Sequence, residues 1–274
     1  MICQLIKLQK KASLIPTIFF CLFSLFCFSQ EAESIYHSKY SKLSIVLQPS
    51  ILLENYTTKR ANSSDPNMEF SESKSIQFGV YYNFAQSTNW NFKTGLIVKD
   101  FSPSFDINVS SDDIGLGENY LLTDFNPFSQ FIFSVPIKTE YFLPIYPKFN
   151  LIFGASINLN LITGTTDEIV TKVSVSNETT SKEIFYLNSD SQEKINFTSE
   201  ISSGIQYKSK YGLIQLDFFW TLISSSSPIT GRYKLYNLEN SNDFEGSFTI
   251  NPFFYGLSLN FSPKKGWLKK NSNK

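Results

Sequence analysis

The feature that most constrains this chain is a period of two, held over long segments. Residues 74–101 read KSIQFGVYYNFAQSTNWNFKTGLIVKDF. Ile76, Phe78, Val80, Tyr82 and Phe84 share one parity, and Ser75, Gln77, Gly79, Tyr81 and Asn83 the other. After a short polar break, Trp90, Phe92, Leu96 and Val98 alternate with Asn91, Lys93, Gly95 and Lys99. Alternate side chains on a strand point to opposite faces. The stretch therefore reads as a β-hairpin with one apolar face and one mixed polar face.

Eight segments carry this pattern: 42–54, 74–85, 90–101, 129–141, 148–162, 194–208, 211–222 and 248–261. All exceed the five or six residues usual in globular sheets. All reach the roughly 9–11 residues that a tilted strand needs to cross a bilayer. The connections alternate as well. Gln86 to Asn89, Phe142 to Pro147 and Ser209-Lys210 are short, whereas 55–73, 102–127, 163–193 and 223–247 are long and rich in Ser, Asn, Asp, Thr and Gly. Strands running up and down would gather the short turns at one end and four long solvated loops at the other. That is the plan of an outer-membrane barrel, with short periplasmic turns and longer external loops.

Alternation alone does not say which face meets solvent, because soluble and membrane barrels invert the pattern. Three features point to lipid outside. The apolar faces hold Phe, Leu, Ile and Val without charge, as in Phe149, Leu151, Phe153, Ile157, Leu159 and Leu161. The opposite faces carry small residues (Gly79, Gly95, Gly154, Gly204, Gly256) that suit a narrow interior. Aromatics gather near the turns: Trp90, Tyr141, Tyr146, Phe149, Tyr207 and Tyr211 at one rim, and Phe101, Phe105, Phe128 and Trp220 at the other. Such girdles mark the two membrane interfaces. Aromatics reach 16% of the chain, with 27 phenylalanines.

The expected fold is all-β: an eight-stranded antiparallel up-and-down transmembrane β-barrel with short periplasmic turns and four long external loops. Its first and last strands should pair, because an open edge in hydrocarbon leaves backbone groups unsatisfied. Side chains just fill the interior of an eight-stranded barrel, so the lumen is expected to be plugged. Lys93, Lys138, Glu140, Glu200 and Asp217 fall on the polar parity in mid-strand and are candidates for an internal ion-pair network, since buried unpaired charge is costly.

Lys7, Lys10 and Lys11 precede an apolar run from Ala12 to Phe28, the plan of a secretory signal peptide. Cleavage is expected before Gln30, which gives residues 1–29 as signal, 30–262 as barrel and 263–274 as a basic periplasmic tail. All three cysteines, Cys3, Cys21 and Cys27, lie in the leader, so the exported chain has no disulfide framework or thiolate chemistry. Three of the 24 basic residues leave with the leader, so 21 remain against 24 acidic ones, a net of −3. No basic field points to nucleic acid.

Chemistry-bearing motifs are sparse. The single histidine, His37, precedes the first strand, which is poor placement for a Ser/His/Asp arrangement. Asp112, Asp113 and Glu118 share one loop, but their spacing does not match an EF-hand and reads as a solvated acidic loop. No cofactor is expected. Two further readings stand beside the barrel: a lipid-modifying barrel enzyme using His37, and a soluble lipocalin-like carrier. Mid-strand charges and four long loops count against the carrier.

The stretch FIFSVPIKTEYFLPIYPKFNLIFGASINLNL, residues 131–161, resembles the PorT-like outer-membrane β-barrel family of Bacteroidetes. Val135-Pro136-Ile137, Tyr141 and then Gly154 occupy the places of that family's motif. The leader ending FSQ is also similar to those of secreted proteins from that phylum. The final NPFFYGLSLNF resembles a barrel-closing strand, with Phe261 as the terminal aromatic read by the barrel-assembly machinery. The chain departs from the family in continuing as SPKKGWLKKNSNK beyond Phe261. Taken with the poor placement of His37, the resemblance leads to the expectation of a non-enzymatic integral outer-membrane protein of a Gram-negative bacterium. Its partners would be outer-membrane lipid, the assembly machinery and a periplasmic or secretion-system partner, with external loops for ligand or partner contact.

Overall fold

The computed structural model describes residues 39–265 apart from 54–55, 61–66, 110–119, 126–129, 164–166, 175–180, 191–194, 227–228 and 237–242. The leader, His37, Asp112, Asp113, Glu118, Phe128 and the tail beyond Lys265 lie outside the described residues. Strands in chain order are β1 Leu43–Leu52, β2 Tyr56–Arg60, β3 Asn67–Ser71, β4 Ser73–Gln86, β5 Trp90–Phe101, β6 Ser104–Val109, β7 Tyr120–Phe125 and β8 Gln130–Tyr146. They continue as β9 Phe149–Thr163, β10 Asp167–Ser174, β11 Ser181–Asp190, β12 Ile195–Lys208, β13 Gly212–Ser224, β14 Ile229–Leu235, β15 Phe244–Ile250 and β16 Phe254–Pro263.

Eight of these strands close into an antiparallel barrel in the order β1, β4, β5, β8, β9, β12, β13, β16. Closure is made by β1 on β16, in a register running from Ile45 opposite Phe261 to Leu52 opposite Phe254. Past the strand ends, Ser41 donates to the carbonyl of Pro263, and Tyr40 bridges Lys264. Every barrel strand thus has two neighbours, the condition that hydrocarbon imposes on a sheet.

Parity decides the faces as the pattern requires. In β8, Ile132, Ser134, Pro136, Lys138, Glu140 and Phe142 turn inward and are buried, whereas Phe131, Phe133, Val135 and Ile137 are exposed. In β9, Phe153, Ile157, Leu159 and Leu161 are exposed, with Ile157 at 56%. The same belt runs around β1, β4, β12, β13 and β16 through Ile45, Phe78, Ile201, Phe218 and Leu257. An uncharged apolar belt around a closed barrel far exceeds the few hundred Å² that a water-facing monomer exposes. It is a lipid-facing surface, and the fold is an eight-stranded transmembrane β-barrel.

Glycines on the inner face let adjacent strands approach closely. A Cβ on Gly79, Gly204 or Gly256 would collide with the carbonyl oxygen of Leu96, Leu216 or Pro49 in the adjacent strand. Pro49 lies inside β1 and Pro136 in the middle of β8, with Pro144 and Pro263 nearer the turn-end limits of β8 and β16. Proline cannot donate to a ladder. The β1–β16 register accordingly skips from Leu47 to Ser50 around Pro49, and the β5–β8 register skips Val135 and Pro136. On their other sides, Pro49 stays opposite Ile76 and Pro136 opposite Asn158.

The long connections, read from composition as solvated loops, carry sheet of their own. β10, β11, β14, β15 and β2 form a five-stranded sheet, and β3, β6 and β7 a three-stranded one. The five-stranded sheet buries Phe185, Leu187, Tyr233, Leu235, Phe248 and Ile250. Its period-two signal is present in ITGRYKL and KEIFYL, among Ser- and Asn-rich neighbours that mask it. The eighth predicted segment, 248–261, is two elements: β15 ends at Ile250, Asn251 to Phe253 interrupt, and β16 starts at Phe254. Pro252 stands at the break. On β14 and β15, Tyr233 pairs with Gly246 and Phe248 with Gly231, each ring lying where a Cβ would sit. Nearby, the hydrogen bond to Asp243 at 2.8 Å holds the Lys234 ammonium above its ordinary range.

The belt makes a depth-dependent prediction. Ile157→Arg should destabilise the barrel by about 2–4 kcal/mol, and Tyr146→Arg at the rim by about 0–1 kcal/mol. Guanidinium titration of vesicle-inserted protein, followed by tryptophan fluorescence, measures both. Equal costs would contradict the placement of the belt. Separately, Gly246→Ala should dislodge the Tyr233 ring and make the loop-end sheet protease-sensitive, with the heat-dependent gel shift of the barrel unchanged.

Candidate functional site: the lumen and its two ends

The lumen is a stack of polar layers between apolar ones. At its centre, Glu140 is fully buried and collects four donors. Its Oε1 accepts from Lys93 Nζ at 2.6 Å and Gln215 Nε2 at 2.8 Å, with Lys138 Nζ at 3.3 Å, and its Oε2 accepts from Asn91 Nδ2 at 3.0 Å. Gln215 also donates to Asp217 Oδ2 at 2.6 Å, and Lys138 lies 3.6 Å from the same oxygen. Lys93 sits 4.5 Å from the centre of the buried Tyr81 ring, a cation–π contact. Gly154 leaves room for this cluster: a Cβ there would press on Lys138 Cε and Ser202 Oγ.

Towards the loop end, Lys99 Nζ meets Glu200 Oε1 at 2.8 Å. Asn160 donates to Asn196 at 2.9 Å and Thr198 at 3.0 Å, and Gln77 donates to Ser50 at 3.0 Å. Above them, Phe101 and Phe254 meet edge to face at 6.2 Å, beside the buried Leu52, Ile132 and Ile162. At the turn end, Asn150 donates to Gln206 at 3.0 Å, and Phe142 and Leu213 are buried. A pocket of about 30 Å³ opens here beside Asn91, Phe142 and Gln215, room for about one water.

Of the five candidate lumen charges, the structure brings four together: Lys93, Lys138, Glu140 and Asp217. Glu200 instead pairs with Lys99, which sequence reasoning put on the polar face without giving it a partner. Asn91 and Gln215 were also missed, although they share parity with Lys93 and Asp217. The six charges comprise three lysines and three carboxylates, so they sum to zero. Among the described residues, no group of three or more His, Cys, Asp or Glu side chains could hold a metal ion.

The outer aromatics fall at both rims. Trp90 and Tyr141 are register partners at the turn end, with rings 5.0 Å apart. Tyr146 and Tyr211 are exposed there, and Phe149 packs on Tyr207 at 4.9 Å. Trp220 lies towards the loop end, 6.3 Å from Tyr255. Phe261 faces outward on β16, opposite Ile45 and Ile214. Phe101 corrects the sequence expectation: it points into the lumen, not out to the rim. It has the odd parity of Lys93 and Lys99 on β5, and that parity decides its face.

A closed antiparallel cylinder, apolar outside and charge-paired inside, defines a class: a transmembrane β-barrel of the outer-membrane type. No family model and no curated protein matches the sequence. Among solved structures, the chain is similar to the outer membrane protein OprG from Pseudomonas aeruginosa, at 11% identity and TM-score 0.43, over 81% of this chain and 96% of that one. It is also similar to the outer membrane protease OmpT from Escherichia coli, at 9% identity and TM-score 0.32, over 82% and 94%. A third is Ail, the attachment invasion locus protein of Yersinia pestis, at 9% identity and TM-score 0.21, over 81% and 99%.

Removing one member of a buried charge cluster strands the others, which typically costs about 3–5 kcal/mol. Glu140→Gln should destabilise by that order, because Lys93 and Lys138 lose their shared acceptor. A double change to Lys93→Met and Glu140→Leu should recover most of the loss. Denaturant midpoints in vesicles test both, and a neutral Glu140→Gln would refute the cluster.

Proposed function

We propose that this chain is a non-enzymatic integral outer-membrane protein whose lumen is closed to solutes and whose loop-end sheets contact ligands or partners. One observation carries the reading: a lipid-facing belt surrounds an interior whose charges are spent on each other. A transport lumen keeps its charges wet and available to passing ions; here they are buried and bonded. Binding therefore falls to the surfaces outside the bilayer, and β-sheet at the loop end offers a more rigid platform than an unstructured loop.

In this reading the turn end, where β1 begins and β16 ends, faces the periplasm. The likeness of residues 131–161 to the PorT-like family favours a role in envelope support or a secretion assembly. The tail after Lys265 would then dock a periplasmic partner, and Phe261 would serve as the aromatic read by the assembly machinery.

The test is functional reconstitution of the full chain. Unboiled protein should migrate faster than boiled protein on a gel, and planar bilayers holding it should show no stepwise conductance. Sustained porin-like conductance would overturn the closed lumen. Deleting residues 266–274 should leave membrane retention intact and remove any co-purifying periplasmic protein.

A further inference from the structure

The turn end differs from the rest of the molecule in charge. The segments that build it, residues 39–44, 86–90, 146–149, 207–212 and 262–265, contain Lys39, Lys42, Lys148, Lys208, Lys210, Lys264 and Lys265, and no aspartate or glutamate. The whole sequence is balanced at 24 basic and 24 acidic residues, so seven lysines in segments whose sequence holds no Asp or Glu make a strong local bias in composition.

Backbone bonds tie part of this rim into one surface. Lys208 N–H donates to the carbonyl of Lys148 at 2.8 Å, and Lys264 N–H to the carbonyl of Tyr211 at 2.8 Å. Between them the outer wall forms an open groove of about 900 Å³. Lys148, Lys208 and Lys210 stand at its edge, and Tyr207, Tyr211, Ile214 and Phe261 line it. Phe261 packs closely against the neighbouring Gly212, where a Cβ would strike its ring. Ser209 Oγ accepts from the N–H groups of Tyr211 and Gly212 at 3.1 and 3.0 Å and so fixes the tight turn. Lys210 Nζ lies 4.8 Å from the centre of the Tyr211 ring, which holds the ammonium beside the apolar wall.

We propose that this groove binds an anionic glycerophospholipid of the turn-side leaflet, with its phosphodiester among Lys148, Lys208 and Lys210 and its acyl chains along Ile214 and Phe261. The proposal rests on the membrane-barrel reading and adds the lipid class and its site. Two observations select the occupant. The groove runs directly into the lipid-facing belt, so whatever fills it must continue as hydrocarbon. Its polar edge is cationic, so the head must be negative. Lysines near an anionic surface contribute on the order of 1 kcal/mol each, and the apolar lower half discriminates against a free phosphate ester.

The test uses the full-length chain in phosphatidylcholine vesicles with trace spin-labelled phosphatidylglycerol or phosphatidylcholine, read by electron paramagnetic resonance. The wild type should prefer the anionic label by about fivefold or more, the effect of one lysine at such a surface. Molar salt should weaken the preference. The triple variant K148Q/K208Q/K210Q should fall close to no preference, the corresponding arginine variant should retain it, and K74Q on the outer face near the loop end should match wild type. A preference unchanged in the glutamine variant overturns the site. Displacement of the label by soluble glycerol phosphate overturns the lipid as occupant. An inserted wild type without preference overturns the proposal and leaves the rim to an acidic protein. Failure to insert, seen as absence of the heat-dependent gel shift, overturns the barrel reading and this proposal with it.

Discussion

Hydrocarbon offers a peptide group nothing to bond with, and most of this structure follows from that. Each unsatisfied N–H or C=O would cost several kcal/mol. The sheet therefore has no free edge, and β1 meets β16. Closure with eight strands makes the interior narrow, and narrowness excludes bulk water. Exclusion of water in turn forces the inner charges to neutralise one another. Glu140, with four donors, is the point on which that neutralisation turns. Chain closure and internal ion pairing are thus two effects of one solvent.

The same constraint separates the two ends. Within the bilayer the strands have a single solution, and their parity is strict. Beyond it water returns and the chain is free to elaborate. At the loop end it builds further sheet, with a buried face of Phe185, Leu187, Tyr233 and Phe248. At the turn end it is minimal, and its lysines gather where lipid headgroups begin.

The barrel was legible because lipid contact demands uncharged alternation. Ile76 to Phe84 and Phe149 to Leu161 mark the strands by alternation, and the lack of charge on their apolar face, with the small inner residues and the aromatic rims, points that face to lipid. The pairing of the charges was not legible. Lys99 and Glu200 lie 101 residues apart, and their meeting depends on how the cylinder curls, which parity does not encode. Phe101 misled for another reason: an aromatic near a strand end reads as a girdle residue, although its parity with Lys99 turns it inward. The loop-end sheet hid behind composition. Tyr233 and Phe248 each pair with a glycine, so its alternation looks weaker than it is.

The joint between β1 and β16 has a consequence of its own. A cylinder can be sealed only when its first and last strands are both present, and among the described strand pairs this joint is the most distant in sequence. It is also interrupted: Pro49 withholds a donor, and the register holds six matched positions where β1 and β4 hold ten. The wall therefore contains a built-in line of least resistance. Lateral parting, whether by force or by an invading strand, would begin along this line.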